Sequence, residues 1–529
     1  MTDTFIIAFA LYIIMASSTY PSDITEFKKI NFGKADAGTE KQTPALLLDG
    51  FFDEGYADKI MAGEAQFVFG LKGSGKSAIG SRIELLSKKD KEIVVHQCEL
   101  DNFDYSGFGG VVPGRKPTDE KNQQTWEFLI AITLFNMYEK TAIETIDSAI
   151  KYKNVIDGLK TIGLLPDRGF NSIIDKLKGK KLKMSASSVS VEIEPTQITE
   201  HKIKRLVINT VSAMYSVSPE KKHFIIIDGL DSVLTKRLVQ YSVLSSLIHT
   251  VNFINKKFIE KSINSQIVVL CRTDVLDRLS DPDRTKHFSD SGIFLDWYQS
   301  ETDKIEDNNL CKLINLRARV SLKRPVNVFD EFFPPSINTG GSEKHTVKYL
   351  LERTRHTPRD IIQLMNYIQK ESWEKATEGS IKKGLKKYSE VYFLSEVCDS
   401  FVGFLSKEEV DGTIAIIRSI GYTTTTIDEM KKESLRKGLN LDLNNILSVF
   451  YDEGVIGNIE VVSRQSRNGL YKESMYFHYK FRNRTIPFNE KQQIHIHAGL
   501  HRALNLKQRL QTESAGRNAI QADDNEEEI

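Results

Sequence analysis

The chain has 529 residues, of which 40% are hydrophobic and 27% charged. That length holds about three domains, and the composition is that of a globular protein rather than a solvating chain. Cations and anions nearly cancel, 72 Lys+Arg against 71 Asp+Glu, which excludes a histone-like polycation and leaves room only for local basic patches. The four cysteines, Cys98, Cys271, Cys311 and Cys398, are too widely spaced for a zinc knuckle or a CxxC pair. A reducing, cytoplasmic setting is therefore expected.

At the N-terminus the apolar run Phe5 to Ala16 falls short of the roughly 20 residues that cross a bilayer. Asp3, rather than a cation, precedes it, which is poor for a signal peptide. The expectation is that Met15 starts the native protein and that residues 1–14 are an extension. A membrane anchor over residues 1–16 and secretion are the alternatives.

Further along, a short apolar strand at 66–69 runs into Gly70-Leu71-Lys72-Gly73-Ser74-Gly75-Lys76-Ser77-Ala78. Ile79, Ile83 and Leu86 then repeat at helical spacing. A strand is expected at 92–99, a Gly-rich loop at 105–114 and helices across 124–165. The lysines of 176–183 lead to a Ser-rich alternation at 185–193, read as a hairpin. Helices at 200–216 and 237–262 alternate with strands at 223–227 and 266–270. Apolar, β-branched strands alternating with helices predict a parallel sheet covered on both faces. Residues 305–380 read as helical. Three helices near 407–420, 427–437 and 443–453, then strands at 459–463 and 470–479, suggest a winged helix. Residues 513–529, with Arg517 against six acids, read as a disordered tail.

Gly70-x4-Gly75-Lys76-Ser77 is a complete P-loop pattern between a strand and a helix. Such a loop needs glycines so that backbone N–H groups converge on a phosphate at a helix N-terminus. It needs Lys76 as a point charge on the β- and γ-phosphates, and the Ser77 hydroxyl on Mg²⁺. The strand Phe224-Ile225-Ile226-Ile227-Asp228 supplies the carboxylate on the metal side. Asp231 could activate the attacking water, or cap a helix. Arg272, at the end of the next strand, is placed to reach the γ-phosphate, or to pair with Asp274. In Thr357-Pro358-Arg359-Asp360, Thr357 is an N-cap and Pro358 the first helical residue. Arg359 then faces the nucleotide from a helical lid, or pairs with Asp360 or Glu352. ATP is favoured over GTP because Asn255-Lys256-Lys257-Phe258 fails the guanine motif.

These motifs resemble those of the AAA+-related STAND and origin-recognition ATPases, and most closely an uncharacterised group of bacterial P-loop ATPases. The residues concerned are 70–77, 225–231, 268–274 and 357–361, together with Asn31-Phe32-Gly33-Lys34-Ala35-Asp36-Ala37. Asp228-Gly229-Leu230-Asp231 is similar to the metal-binding motif of NACHT-type proteins. By the resemblance, Arg272 matches sensor 1 and Arg359 sensor 2. It implies a nucleotide-driven switch that forms homo-oligomers or acts on a separate effector protein, of a kind used in bacterial defence against phage. AAA+ members carry Glu where Gly229 stands, so slow or absent hydrolysis is expected.

The basic segment 461–512 holds ten cations, among them Arg464, Arg467, Lys472, Lys480, Arg482 and Arg484, against Glu473 and Glu490. With interleaved aromatics these could grip DNA; the alternative is a solvated face over a wing core. His495, His497 and His501 are spaced like a metal site but lack a carboxylate or thiolate beside them, so packing or a nucleotide or interdomain contact is the preferred reading. The expected architecture is an α/β P-loop NTPase with a parallel sheet (46–300) and a helical insertion (105–200). An N-terminal segment (1–45) precedes it, and a helical lid (301–387), a winged-helix domain (388–485) and a last element (486–512) follow. The function expected is an ATP- and Mg²⁺-dependent ATPase switch, with an origin-recognition-like DNA-binding ATPase as the alternative.

Overall fold

The computed structural model describes residues 25–100, 103–112, 118–138, 143, 145–165, 169–178, 200–229, 238–278, 289–299, 307–339, 342–465 and 471–509. The N-terminal apolar run, the expected hairpin at 185–193, Asp231, Arg467 and the acidic tail lie outside them. So do the side chains of Arg464 and Lys472. No helix among the described residues is long and apolar enough to cross a membrane.

Five strands form one sheet: β1 (Phe67–Gly70), β2 (Ile93–Glu99), β3 (Lys222–Asp228), β4 (Ser265–Arg272) and β5 (Gly292–Leu295). Their order is β2-β3-β4-β1-β5, and all pairings are parallel. Alternation sorts the side chains. Val68, Ile226, Val268 and Leu270 pack with Ile79 and Ile83 of helix α1 (Lys76–Ser87) on one face. Phe67, Phe69, Ile225, Ile227, Ile267 and Val269 face the other way, toward helices α2 (Thr118–Tyr138) and α3 (Leu238–Glu260). Both faces are therefore dry, which is why these strands read as continuous apolar runs. Asn255 of α3 grips the edge of β4: its amide donates to Ile267 O (2.8 Å) and accepts from Ile267 N (2.9 Å).

The Gly-rich stretch after β2 is not the loop that its glycines suggest. Tyr105–Val111 is a helix, N-capped by Asp104, which accepts from Gly107 N at 2.9 Å. Phe108 anchors it on Trp126, with ring centroids 4.8 Å apart, and that packing outweighs the cost of three helical glycines.

The helical unit contains α4 (Asn309–Leu322), α5 (Pro358–Glu371) and α6 (Glu378–Lys387), with a small antiparallel pair, β6 (Ser336–Asn338) and β7 (Glu343–His345). The boundary expected at residue 387 falls inside a continuous helix. α6 runs on through a π-helical turn, Tyr388–Phe393, to Ser400. No Gly or Pro interrupts residues 385–400, and buried Tyr388 and Phe393 weld the turn into the core.

The C-terminal unit holds α7 (Lys407–Ile420), α8 (Ile427–Arg436) and α9 (Leu443–Asp452) against an antiparallel sheet. Its strands are β8 (Thr424–Thr425), β9 (Ile456–Gln465), β10 (Tyr471–His478) and β11 (Gln493–Ile496), in the order β10-β9-β11-β8. Capping boxes start α7 at Ser406 and α8 at Thr426.

Candidate nucleotide-binding site

The site lies at the C-terminal edge of the parallel sheet, where β1 gives way to α1. Gly73 (φ 81°) and Gly75 (φ 98°) both adopt left-handed backbone, which a side chain disfavours. A Cβ on Gly73 would lie 3.0 Å from the Cβ of Arg359, so the loop and the start of α5 are in close contact. A Cβ on Gly75 would meet nothing within 4 Å, so its left-handed backbone rather than crowding is what calls for glycine there. Lys76 is buried at the first position of α1, and its ammonium donates to Gly70 O (3.2 Å) and Leu71 O (3.1 Å). Ser77 follows in the first turn and is exposed.

Two braces hold this loop that sequence patterns do not reveal. Trp297, just beyond β5, donates its indole N–H to Ser74 O at 2.9 Å. The backbone N–H of Arg359 donates to Gly73 O at 3.3 Å. The hydroxyl of Ser74 is buried with no partner among the described residues. Left-handed glycines, an inward lysine and an unsatisfied loop hydroxyl fit an anion with several acceptor oxygens.

Asp228 ends β3, and its carboxylate accepts from Gly229 N at 2.8 Å. A hydroxyl such as that of Ser77 and a carboxylate such as that of Asp228 are donors of the kind Mg²⁺ takes. Gly229 turns left-handed at φ 81°. A Glu at this position would adopt that backbone conformation only with strain.

The arginines expected to face phosphate are both engaged by carboxylates. Arg272 lies level with Gly70 in the β1–β4 register and is 3% exposed. It binds Asp274 through two hydrogen bonds of 2.8 Å. It also binds Glu453, immediately after α9, at 3.1 and 3.2 Å. Burial pushes Asp274 up, but the Arg272 charge overcomes that and holds its carboxyl below the usual range. Glu453 goes the other way. Burial raises it to about 7, Arg272 opposing and the Asp274 charge adding to the rise.

Thr357 caps α5 by accepting from Asp360 N, and Pro358 occupies the first turn, as the motif predicts. Arg359 pairs with neither Asp360 nor Glu352. Its guanidinium donates to Glu396 Oε1 at 2.9 Å and to Ala35 O at 3.0 Å. Lys72 of the loop reaches the same Glu396 oxygen at 3.3 Å. Asp360, fully buried, takes Arg355 instead, at 3.1 and 3.3 Å, and accepts from the Tyr392 hydroxyl at 3.1 Å. His356, between Arg355 and Thr357, is left-handed at φ 51°, a strained junction beside the loop.

The N-terminal segment is built into this region. Gly33 (φ 104°) lies where a Cβ would meet the Arg317 guanidinium at 1.6 Å, so only Gly fits. Arg317 of α4 pairs with buried Glu40 at 2.6 and 3.0 Å and donates to Phe32 O at 2.7 Å. Asn366 of α5 donates to Gly33 O at 2.9 Å.

The three histidines serve contacts. His497 bonds Thr354 O through Nε2 (3.1 Å) and accepts from Gly499 N through Nδ1 (3.0 Å), joining the C-terminal unit to the turn before α5. His495 Nδ1 meets the Tyr479 hydroxyl at 2.6 Å, and His501 Nε2 meets Ile496 O at 2.7 Å. Of the described cations of the basic segment, Lys491, Arg502, Lys507 and Arg509 are exposed, while Lys480, Arg482 and Arg484 are half-buried against the protein's own side chains. The Arg482 guanidinium lies 5.6 Å from the Tyr298 and Tyr479 rings. Arg484 approaches Asp296 at 3.9 Å, and Lys480 approaches Asp452 at 4.0 Å.

Residues 308–395 match the FunZ-associated C-terminal helical domain. No curated protein matches the chain. Among solved structures it is similar to the Orc1 protein of Aeropyrum pernix, solved in complex with DNA. That match has 11% identity, covers 87% of this chain and 95% of the other, and has a TM-score of 0.34. It is also similar to Cdc6p of Pyrobaculum aerophilum, with 11% identity, 92% and 96% covered, and a TM-score of 0.27. The chain's own sheet and loop define its class: an α/β P-loop NTPase fold with a helical C-terminal part.

Proposed function

We propose that this protein binds ATP with Mg²⁺ and acts as a nucleotide-dependent switch that hydrolyses slowly or not at all. One observation carries the reading. A loop with two left-handed glycines and an inward Lys76 sits at the sheet edge beside Asp228, wrapped by the helical unit and the C-terminal unit. Lys76 and the loop amides would bind the phosphates, while Ser77 and Asp228 would hold the metal, which offsets charge on the β- and γ-phosphates. Arg272 and Arg359 are the chain's cations for the terminal phosphate. The left-handed Gly229 leaves the catalytic carboxylate unassigned, with Asp231 the candidate. The fold of the C-terminal unit fits a winged helix. Oligomerisation, a separate effector and a role in bacterial defence follow from the resemblance to STAND ATPases.

The alternative, DNA binding through the wing, rests on Arg464, Arg467 and Lys472. It is the weaker reading because Lys480, Arg482 and Arg484 are half-buried against acids and rings of the protein itself and α9 carries no cation. A salt-dependent mobility shift with duplex DNA would favour it. The ATP reading is tested with Lys76→Ala by calorimetric titration with Mg-ATP. Affinity is expected to fall at least about 100-fold with the fold retained; unchanged affinity contradicts the assignment.

A further inference from the structure

We propose that Glu453 and Glu396 form a carboxylate latch that competes with the terminal phosphate of ATP for the same cations, so that nucleotide loosens the C-terminal unit. The proposal rests on the ATP reading above and names what regulates that site.

The cations around the loop are Lys72, Lys76, Arg272, Arg355 and Arg359. All but Lys76 are held by acidic side chains: Asp274, Asp360, Glu396 and Glu453. These acids differ in origin. Asp274 and Asp360 lie two and five residues from the arginines they serve, so their pairs travel with the sheet edge and with α5. Glu453 lies 181 residues beyond Arg272. Glu396 lies 37 residues beyond Arg359 and more than 300 beyond Lys72. Of the four acids, these two join the phosphate loop and the sheet edge to the chain that follows residue 387.

The Glu453 contact is costly for the chain to maintain. The residue closes the C-terminal end of α9, where the helix dipole disfavours a carboxylate. It is buried, its side chain 7% exposed, and shares one guanidinium with a second buried carboxylate. Nothing in α9 calls for an acid there; the compensating charge comes from Arg272. Gly454 is built for the approach. Its φ of 69° turns the chain back, and a Cβ there would lie 2.8 Å from the Phe481 ring.

One guanidinium between two acids is the weak point of the arrangement. A terminal phosphate has more charge and a bidentate geometry that matches arginine, so it displaces the acid with less intrinsic affinity. That acid is Glu453 rather than Asp274, which lies in the same strand-to-helix turn. Protonation acts in the same direction. The groups facing Glu453 are Arg272, Asp274, Arg355 and Lys72, and its carboxyl titrates near 7. A neutral Glu453 releases Arg272 more readily.

The test uses the full chain, wild type, Glu453→Gln and Glu396→Gln. Hydrogen exchange is read without nucleotide at the amides of residues 71–72 and 452–454, and Mg-ATP affinity is titrated at pH 8 and pH 6.5. The expected result is faster exchange at both segments in Glu453→Gln and at least about tenfold tighter ATP binding at pH 8. The wild type should approach that affinity at pH 6.5, while the variant changes less between the two pH values. Glu396→Gln, which leaves α9 untouched, should tighten binding in the same sense and covers the case in which Glu453→Gln fails to fold. Unchanged or weaker affinity in both variants overturns the competition. Absence of ATP binding in all three proteins overturns the ATP reading itself; faster exchange in Glu453→Gln would then still separate that failure from failure of the latch contact.

Discussion

The phosphate loop and the ring of cations around it are built by opposite means. The loop is local: nine consecutive residues fold on their own backbone, with Lys76 donating to carbonyls five and six residues back. The ring is assembled from far apart. Arg272 ends a strand of the sheet, Arg355 and Arg359 flank the start of α5, and their acids come from as far as residue 453. The loop therefore reads out directly as a motif, while the state of each cation depends on which acid reaches it. An arginine assigned to phosphate by its position in a motif is, in this conformation, held by a carboxylate. A site of this kind carries its regulation in the same charges that carry its binding.

The comparison is broken most sharply at the buried pair in the ring. Asp360→Ala leaves Arg355 without its acid and removes the acceptor for Tyr392, both in a buried setting. Stability should drop by about 3–5 kcal/mol in chemical denaturation. If it falls by less than about 1 kcal/mol, the ring is a surface network rather than a structural one.

Acid provides the second measure. His356 and His495 titrate near 3 and His501 near 4, because burial disfavours their charged forms. Each binds its proton more readily unfolded, where the ordinary value is about 6.5. Their stabilisation is complete above pH 6.5 and is lost as pH falls toward 4 and 3. At pH 5.5 that is about 1.4 kcal/mol for each histidine still neutral. Glu453 opposes this trend, since its raised carboxyl gains a proton more readily folded than unfolded. Calorimetry at pH 7.5 and 5.5 should show the C-terminal unit melting earlier at the lower pH; a flat profile would mean that the histidines are wet.

The smallest effect is expected at the loop's outer brace. Trp297→Phe keeps the ring and removes the donor to Ser74 O. A loss of about 1 kcal/mol is expected, with a several-fold weaker ATP affinity by titration. An unaffected affinity would show that the backbone shapes the loop without help from Trp297.

Much of the sheet was legible because β3 and β4 are buried on both faces and so carry unbroken β-branched runs. β5, four residues long, and β8, two residues long, give no periodic signal, and they form because β1 and β11, each already paired in its sheet, offer them an edge. The helix Tyr105–Val111 was hidden by its glycines, since the packing of Phe108 on Trp126 is invisible along the chain. In the site, Gly73, Gly75, Lys76 and Asp228 were identifiable because loop chemistry is encoded in adjacent residues. Glu396, within a helix, and Glu453, at a helix end, gave no signal, being ordinary glutamates until the fold places them against arginines. Trp297 was equally silent.

The sequence by itself determined the covered parallel sheet, the anion-binding turn at its edge and the N-cap that starts α5, because each depends on spacing within one segment. Tertiary structure alone decided which acids hold Arg272, Arg359 and Lys72, that His497 is buried, and that the cations of residues 480–484 lie against the protein's own acids and rings. Ion pairing in a buried site depends on distance in space and on the water excluded there, and neither quantity is written in the order of residues along the chain.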